Sequence, residues 1–137
     1  MNLTVDTVLS AEDSEALGQG LTAFNKKAIG YDDYQPLFVT LREEDGALLG
    51  GLTAETYWGW LYIDILWVSE KKRDQGLGSQ LLRAAEAEAC KRGCRNVYLD
   101  TFSFQALPFY QKHGYTVFGS LPGFPADQTR YFLTKAL

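Results

Sequence analysis

Long apolar runs and clusters of basic residues are both missing from this 137-residue sequence. No stretch is apolar over the roughly 20 residues that a membrane-spanning helix needs, so we expect no membrane partner. Residues 1–6 contain neither the basic nor the apolar segment of a secretory signal, and we therefore expect a cytoplasmic protein. The net charge is −4 and there is no basic stripe or tail, which argues against nucleic-acid binding.

Cysteine and histidine are also scarce. The two cysteines, Cys90 and Cys94, lie on either side of the expected end of a helix, and in a reducing compartment we expect free thiols rather than a disulfide. No further Cys and no nearby His completes a set of metal ligands, so we expect no metal cofactor. The one histidine, His113, is expected to be solvated at a helix C-terminus, and we assign it no catalytic role.

What the chain does contain is typical of a soluble globular protein, with 46% hydrophobic and 22% charged residues. A chain of this length can bury a core of its own, so we expect one domain over residues 1–137. The acidic balance is compatible with cationic substrates. The sequence does not determine the oligomeric state, and a homodimer is left open.

The chain is organised around a strand, a glycine-rich turn and a helix that follow one another. Residues 61–68 are almost continuously apolar, which predicts a buried central strand. Residues 73–78 form the turn, and residues 79–92 favour a helix with one apolar face. Such a turn directs free backbone N–H groups and the positive end of the helix dipole to one point, which suits phosphate. Gly76 and Gly78 lack the Cβ that would hold a phosphate away from the backbone.

The remaining elements follow from alternation, helix caps and turns. Ser10 is expected to cap a first helix, which Gly18 and Gly20 weaken so that it is kinked or split. Residues 61–102 form a β-α-β unit, which implies a parallel strand pair with a right-handed crossover. Further strands are expected at residues 3–9, 37–42, 48–57, 96–102, 115–119 and 130–136, and a short helix at 105–113.

The central turn carries the first of two family motifs. In the GCN5-related N-acetyltransferase (GNAT) superfamily, motif A ends its strand in L-x-V and continues into a loop with the pattern [RQ]-x-x-G-x-[GA]. The loop pattern alone is a weak indication, because an ordinary strand-to-helix turn also needs glycines. Five residues of this sequence resemble the complete motif in register: Leu66, Val68, Arg73, Gly76 and Gly78.

The second half of the chain resembles motif B of the same superfamily, whose usual form is N-x-x-A-x-x-[FL]-Y-x-x-x-G-[FY]. Ser103 stands where the family usually has Asn, so the contact of that Asn with the pantetheine arm does not carry over directly. With both motifs at the expected separation, the chain is identified as a member of the superfamily. The matching residues of motif B are Ala106, Phe109, Tyr110, Gly114 and Tyr115.

The resemblance implies an α/β GNAT fold: a mixed, mostly antiparallel sheet with one parallel β-α-β unit and helices on both faces. It implies an acetyl-CoA-dependent N-acetyltransferase that transfers an acetyl group to a primary amine of a small molecule by direct attack on the thioester. Two alternatives stay open. The acceptor is then a protein or peptide amine, or the chain is a CoA-binding module without turnover.

The resemblance also implies roles for single residues. In the family, the tyrosine matched by Tyr110 directs its hydroxyl at the thioester sulfur, where it protonates the departing thiolate. The backbone N–H at Leu66 holds the acetyl carbonyl. Arg73 either meets the pyrophosphate or lies on the surface, and Ser79 either caps the helix or binds a phosphate. The residues expected to bind acetyl-CoA are Leu66, Trp67, Val68, Arg73, Asp74, Gln75, Gly76, Leu77, Gly78, Ser79, Ser103 and Tyr110.

Glu55, Tyr62 and Asp64 are expected to contact the acceptor. Because most alkylamines are protonated at neutral pH, a base must remove a proton before the amine attacks. Asp64 is the candidate base, since it is the one acid inside an apolar strand and burying it without a purpose is costly. Strand alternation puts Tyr62 and Asp64 on one face with Leu66 and Val68. Glu55 is the alternative base, while Asp64 could instead pair with a Lys or Arg or bind the substrate cation.

Aromatic residues are concentrated at the turn before the central strand, at Tyr57, Trp58, Trp60 and Tyr62. Such a group more often packs in a core or a lid than it binds a ligand. A cation–π wall for the substrate is the alternative.

Overall fold

The computed structural model describes the whole chain, residues 1–137. The chain divides into two compact units, Met1–Asp33 and Tyr34–Leu137. The expectation of a single domain stays a prediction. None of the helices is long and apolar enough to cross a bilayer.

The first unit consists of an N-terminal segment without regular secondary structure and one helix, α1 (Ala11–Ile29). Ser10 caps the helix as predicted, because its Oγ accepts a hydrogen bond from the backbone N–H of Asp13 at 3.0 Å. The helix is continuous over 19 residues, so the glycines within it do not split it. The strand predicted at residues 3–9 is wrong: this segment pairs with no other strand, and alternation alone does not satisfy backbone hydrogen bonds.

The second unit is a six-stranded sheet with the order β1-β2-β3-β4-β6-β5. Only β3 and β4 are parallel, and the other neighbours are antiparallel, as the predicted fold class requires. The strands are β1 (Gln35–Arg42), β2 (Leu48–Tyr57), β3 (Trp60–Val68), β4 (Asn96–Phe102), β5 (Thr116–Pro122) and β6 (Thr129–Ala136). The helices are α2 (Leu77–Lys91), which crosses from β3 to β4, and α3 (Leu107–Lys112), which precedes β5.

Two turns explain where strands start. Trp58 and Gly59 both have positive φ, 49° and 80°, which gives the tight hairpin predicted between β2 and β3. The strand predicted at 115–119 extends from Thr116 to Pro122. It begins one residue later than predicted because Tyr115 belongs to the end of α3: its side chain is buried in the core, and its backbone N–H donates to the Tyr110 carbonyl.

The core of the second unit lies on one face of the sheet, under α2 and α3. Leu82 of α2 and Leu61 of β3 are fully buried, and burial of such a side chain contributes about 1.5–3 kcal/mol. The two helices pack against each other at Gly78, where a Cβ would lie 3.5 Å from the Phe109 ring, an ordinary contact distance. Both helices therefore pack on the same face, and a helix on the other face stays a prediction. The core residues are Leu37, Leu52, Ala54, Leu61, Ile63, Leu81, Leu82, Ala85, Ala89, Cys94, Val97, Leu99, Tyr110, Tyr115 and Leu133.

A buried carboxylate fastens α2 to the last strand pair. Glu86 accepts hydrogen bonds from the Tyr115 hydroxyl at 3.1 Å and from Nζ of Lys135 at 2.8 Å. A buried charge is tolerated when it is paired and hydrogen-bonded in this way. The contact fixes the end of α3 relative to α2, and α3 carries Tyr110.

Candidate active site

The two parallel strands separate at the middle of the sheet. β3 and β4 pair only from Trp60 and Asn96 to Tyr62 and Tyr98, although both strands continue beyond that point. Backbone N–H and C=O groups on the facing edges are therefore left without a partner strand. Such edges can hydrogen-bond an extended, amide-bearing ligand, as a further strand would.

A β-bulge in β3 lies beside this opening. Ile63 pairs with Ala54 and Ile65 pairs with Thr53, so Asp64 is the extra residue without a partner on β2. The bulge reverses the alternation after Asp64.

This bulge corrects two predictions. Leu66 and Val68 pack against the core beneath α2, whereas Tyr62 lies on the opposite face, so the shared face predicted from uniform alternation is wrong. Asp64 is exposed rather than buried, because the extra residue projects from the strand. The cost of burying a carboxylate therefore gives no reason to assign Asp64 a function.

The glycine-rich turn leads from the end of β3 into α2. Gly76 caps the helix in the left-handed region, at φ +76°, with no side-chain hydrogen bond to the first turn and open space where a Cβ would stand. Arg73 ties the turn to the strand, since its Nε donates to the Val68 carbonyl at 3.1 Å. The unsatisfied N–H groups of the first helical turn and the helix dipole fit a phosphate group here.

Two side-chain expectations for this turn are corrected. A Cβ on Gly78 would point at the Phe109 ring and not into the turn, so its absence does not clear space for a phosphate. Ser79 does not cap α2, because Gly76 holds that position. Instead, Oγ of Ser79 lies 2.8 Å from Nε2 of His113.

His113 is half-buried at the end of α3 rather than fully solvated. Burial lowers the pKa of its imidazole below the ordinary value of 6.5, and the positive charge of Arg83 lowers it further. The neutral ring is therefore favoured.

Tyr110 lies on α3 with its ring in the core, only 6% exposed. Its ring centroid is 5.1 Å from that of Phe109 and 5.7 Å from that of Tyr115. Burial raises the pKa of its hydroxyl to about 12, with a further contribution from the Asp100 carboxylate. The hydroxyl is therefore protonated at neutral pH, as a proton donor must be.

Ser103 is engaged within the sheet. Its Oγ donates to Oε1 of Gln128 at 2.6 Å and accepts from the backbone N–H of Thr129 at 3.0 Å. These bonds join the end of β4 to the start of β6. The expected contact with acetyl-CoA therefore gains no support from the position of this hydroxyl.

The face of the sheet opposite α2 carries a group of tyrosines beside the opening. Tyr62 lies against Tyr98, with ring centroids 4.9 Å apart, and the Tyr98 hydroxyl is 3.0 Å from that of Tyr57. Burial raises the pKa of the Tyr62 hydroxyl, and the charges of Asp64 and Asp100 raise it further. Tyr62 thus lies among acidic side chains. These aromatic residues pack on the sheet surface rather than in the core.

Glu55 joins the same surface from β2. It pairs with Tyr62 in the β2–β3 register, and its carboxylate accepts a hydrogen bond from the Tyr34 hydroxyl, whose pKa it raises. The three predicted acceptor residues, Glu55, Tyr62 and Asp64, are therefore neighbours on two adjacent strands.

Asp100 and Arg130 are polar residues of this face that the sequence analysis missed. Nε of Arg130 donates to Oδ1 of Asp100 at 2.8 Å. Alternation in β4 could have found Asp100, because Val97, Leu99 and Thr101 are buried while the residues between them face the other side. No group of three or more His, Cys, Asp or Glu side chains is arranged to hold a metal ion.

Comparison with known proteins identifies the family. Residues 7–115 match the model of the Acetyltransferase (GNAT) family. The chain therefore belongs to the GNAT family and is an acyltransferase, which confirms the resemblance of its two motifs.

Relatives and a solved structure agree with this assignment. The chain is 39% identical to Acetyltransferase Atu2258 of Agrobacterium fabrum, over 98% of both chains. It is 43% identical to Blasticidin-S acetyltransferase of Streptomyces morookaense, over 69% of this chain and 70% of the relative. A crystal structure of an Agrobacterium tumefaciens protein superposes with a TM-score of 0.92 at 39% identity, covering both chains completely.

Proposed function

We propose that the protein transfers the acetyl group of acetyl-CoA to a primary amine of a small molecule, by direct attack of the amine on the thioester. The observation that carries this proposal is the opening between β3 and β4. The Gly76 turn follows the end of β3, and acidic side chains lie beside the opening on the face of the sheet opposite α2. Family membership supports the acetyl donor.

The residues around the turn fit the donor. The backbone of residues 66–68 supplies hydrogen bonds to the pantetheine arm, with the N–H of Leu66 on the acetyl carbonyl. Backbone N–H groups of the turn hold the pyrophosphate, and Arg73 keeps the turn in place through Val68. The residues proposed to bind the donor are Leu66, Trp67, Val68, Arg73, Asp74, Gln75, Gly76, Leu77, Gly78, Ser79 and Tyr110, with Gly78 and Ser79 contributing backbone N–H groups.

Proton movement is assigned to two side chains. Asp64, exposed beside the opening, accepts the amine proton through a water molecule, and Glu55 is the alternative acceptor. Tyr110 donates its proton, or a hydrogen bond, to the departing thiolate of CoA. The raised pKa of Tyr110 keeps that proton in place until the thiolate forms.

Small, cationic amines are the proposed acceptors. A relative 43% identical over 95 residues carries the name of an acetyltransferase for blasticidin S. Glu55 and Asp64 flank Tyr62 and make this surface negative, which attracts an ammonium group. A peptide amine is the second candidate acceptor.

A thiol-release assay tests the proposal. Wild-type protein is mixed with acetyl-CoA and a panel of cationic, neutral and acidic amines, together with lysine-containing and free N-terminal peptides. We expect free CoA with small cationic amines and much less with acidic ones. Preference for peptides would replace the proposed acceptor. Calorimetric binding of acetyl-CoA without thiol release on any amine would make the chain a binding module.

A further inference from the structure

The ion pair of Asp100 and Arg130 borders the opening between β3 and β4 but has no role in the proposed acetyl transfer. Asp100 lies two residues after Tyr98, which is the last residue of β4 paired with β3. Its side chain is on the same face as Tyr98, opposite the buried Leu99 and Thr101. The carboxylate is therefore next to the position at which the strands separate.

Only part of the Asp100 carboxylate is used within the protein. Oδ1 accepts from Nε of Arg130, whereas Oδ2 receives no hydrogen bond from the chain. The Asp100 side chain is 17% exposed, so it is open to a ligand yet largely shielded from water. A hydrogen bond to a partly shielded carboxylate is stronger than one to a fully solvated carboxylate such as that of Asp64.

Arg130 is held rigidly enough to orient its partner. Its guanidinium carbon lies 5.2–5.4 Å from the ring centroids of Phe102, Phe124 and Phe132. Cation–π contacts of this kind restrict the long side chain and favour the planar guanidinium over the ammonium of lysine. Because Nε points at Oδ1, the other oxygen of Asp100 is kept in a fixed direction.

We propose that Oδ2 of Asp100 accepts a hydrogen bond from the amino or ammonium group of the acceptor, and that Arg130 is the positioning residue that orients Asp100 for this contact. This inference rests on the proposed function, and it adds a binding residue that acts before proton transfer. Asp100 holds the acceptor nitrogen and Asp64 receives its proton.

The surroundings of the ion pair also indicate the body of the acceptor. Phe104 is 58% exposed and stacks on Phe102 with ring centroids 5.4 Å apart, and the Phe124 ring also packs on Phe102 at 5.4 Å. Exposed rings next to a carboxylate suit an amine that is attached to an aromatic or apolar group. The acceptor class is therefore a primary amine with a flat or apolar body, rather than a polyamine.

Calorimetric titration of an arylalkylamine and of a polyamine into protein saturated with CoA tests the inference without turnover. Asp100→Asn should weaken arylalkylamine binding at least about tenfold, as expected for a hydrogen bond to a charged group. Arg130→Gln should weaken arylalkylamine binding to a similar extent, and the affinity of Arg130→Lys should lie between those of Arg130→Gln and wild type. The matched control is Glu43→Gln, which removes an acidic charge from the surface pair with Lys72 and should leave affinity unchanged.

Steady-state kinetics provide the second readout. In Asp100→Asn, KM for the amine should rise while KM for acetyl-CoA and the melting temperature stay near wild type. Wild-type amine affinity in Asp100→Asn overturns the inference, as does equal loss of affinity for amine and CoA, which would mean a structural role. If wild-type protein binds the amines but releases no thiol, the proposed function fails while the binding role of Asp100 is still measured. If wild-type protein binds none of the amines, the inference is overturned.

Discussion

Oγ of Ser79 in the first turn of α2 lies 2.8 Å from Nε2 of His113 at the end of α3. This contact joins the two helices that carry the family motifs. It also brings the only histidine of the chain to the helix that begins at the proposed phosphate-binding turn. The position of Tyr110, one turn before His113, therefore depends on the same helix contact.

The lowered pKa of His113 predicts a dependence of stability on pH. The pKa of His113 is lowered in the folded protein by burial and by Arg83, so in the window just below the ordinary value of 6.5 the unfolded chain binds more protons. Stability should therefore fall as the pH drops through this window, until it passes the folded pKa. The free energy of unfolding, measured with urea from pH 8 to 5, should lose part of this slope in His113→Asn. If His113→Asn leaves the slope of the unfolding free energy against pH unchanged, the pKa of His113 is not lowered in the folded protein.

Tyr110→Phe should lower kcat by about a hundredfold or more, because a positioned general acid typically contributes at least that much. Acetyl-CoA affinity and melting temperature should stay near wild type, since the ring still fills its place in the core. The loss should shrink with acyl donors whose thiol has a lower pKa. Because the pKa of Tyr110 is about 12, wild-type turnover should show no loss from its ionisation below pH 10. Full activity in Tyr110→Phe would leave this residue with a packing role alone.

Gly76 and Gly78 form a matched pair with opposite expectations. Gly76→Ala forces a side chain into the left-handed region and should cost about 1–2 kcal/mol of stability. It should also weaken acetyl-CoA binding, because the methyl group occupies open space beside the backbone N–H groups proposed to hold the pyrophosphate. Gly78→Ala places a methyl group at ordinary contact distance from Phe109 and should be tolerated. Thermal melts and calorimetry check both. Tight acetyl-CoA binding in Gly76→Ala, at a lowered melting temperature, would remove this turn from the binding site.

Asp64→Asn should lower turnover most at neutral pH and recover partly as the pH rises, because the neutral amine then becomes abundant without a base. If Asp64 only binds the cation, KM for the amine should rise with the pH trend unchanged. Glu55→Gln is the comparison variant, and the larger pH-dependent loss identifies the base. Wild-type kinetics in Asp64→Asn at every pH would exclude both roles.

Much of the fold could be predicted because its signals are local. The strand, turn and helix of the central unit depend on residues that are close in sequence, and the structure has them within a few residues of the predicted bounds. The strand prediction for residues 3–9 was wrong because alternation within one segment does not show whether another strand pairs with it.

The site was less predictable because its geometry depends on pairing between distant residues. The bulge at Asp64 is visible only from the pairing of β3 with β2. Uniform alternation along β3 therefore predicted the wrong face for Leu66. Arg130 meets Asp100 only because β6 pairs with β4. The contact of Gly78 with Phe109 likewise depends on α3, which lies about thirty residues further along the chain.

Mass spectrometry of one reaction mixture tests whether the protein transfers an acetyl group directly to a small-molecule amine. Wild-type protein, acetyl-CoA and the best amine of the panel are mixed, and the masses of the protein, the amine and the CoA product are followed together. We predict one N-acetylated amine for each CoA released and no acetyl group on the protein, with or without amine. An acetylated protein that forms before the amine is added, or CoA release without acetylated amine, would rule out direct transfer to the amine.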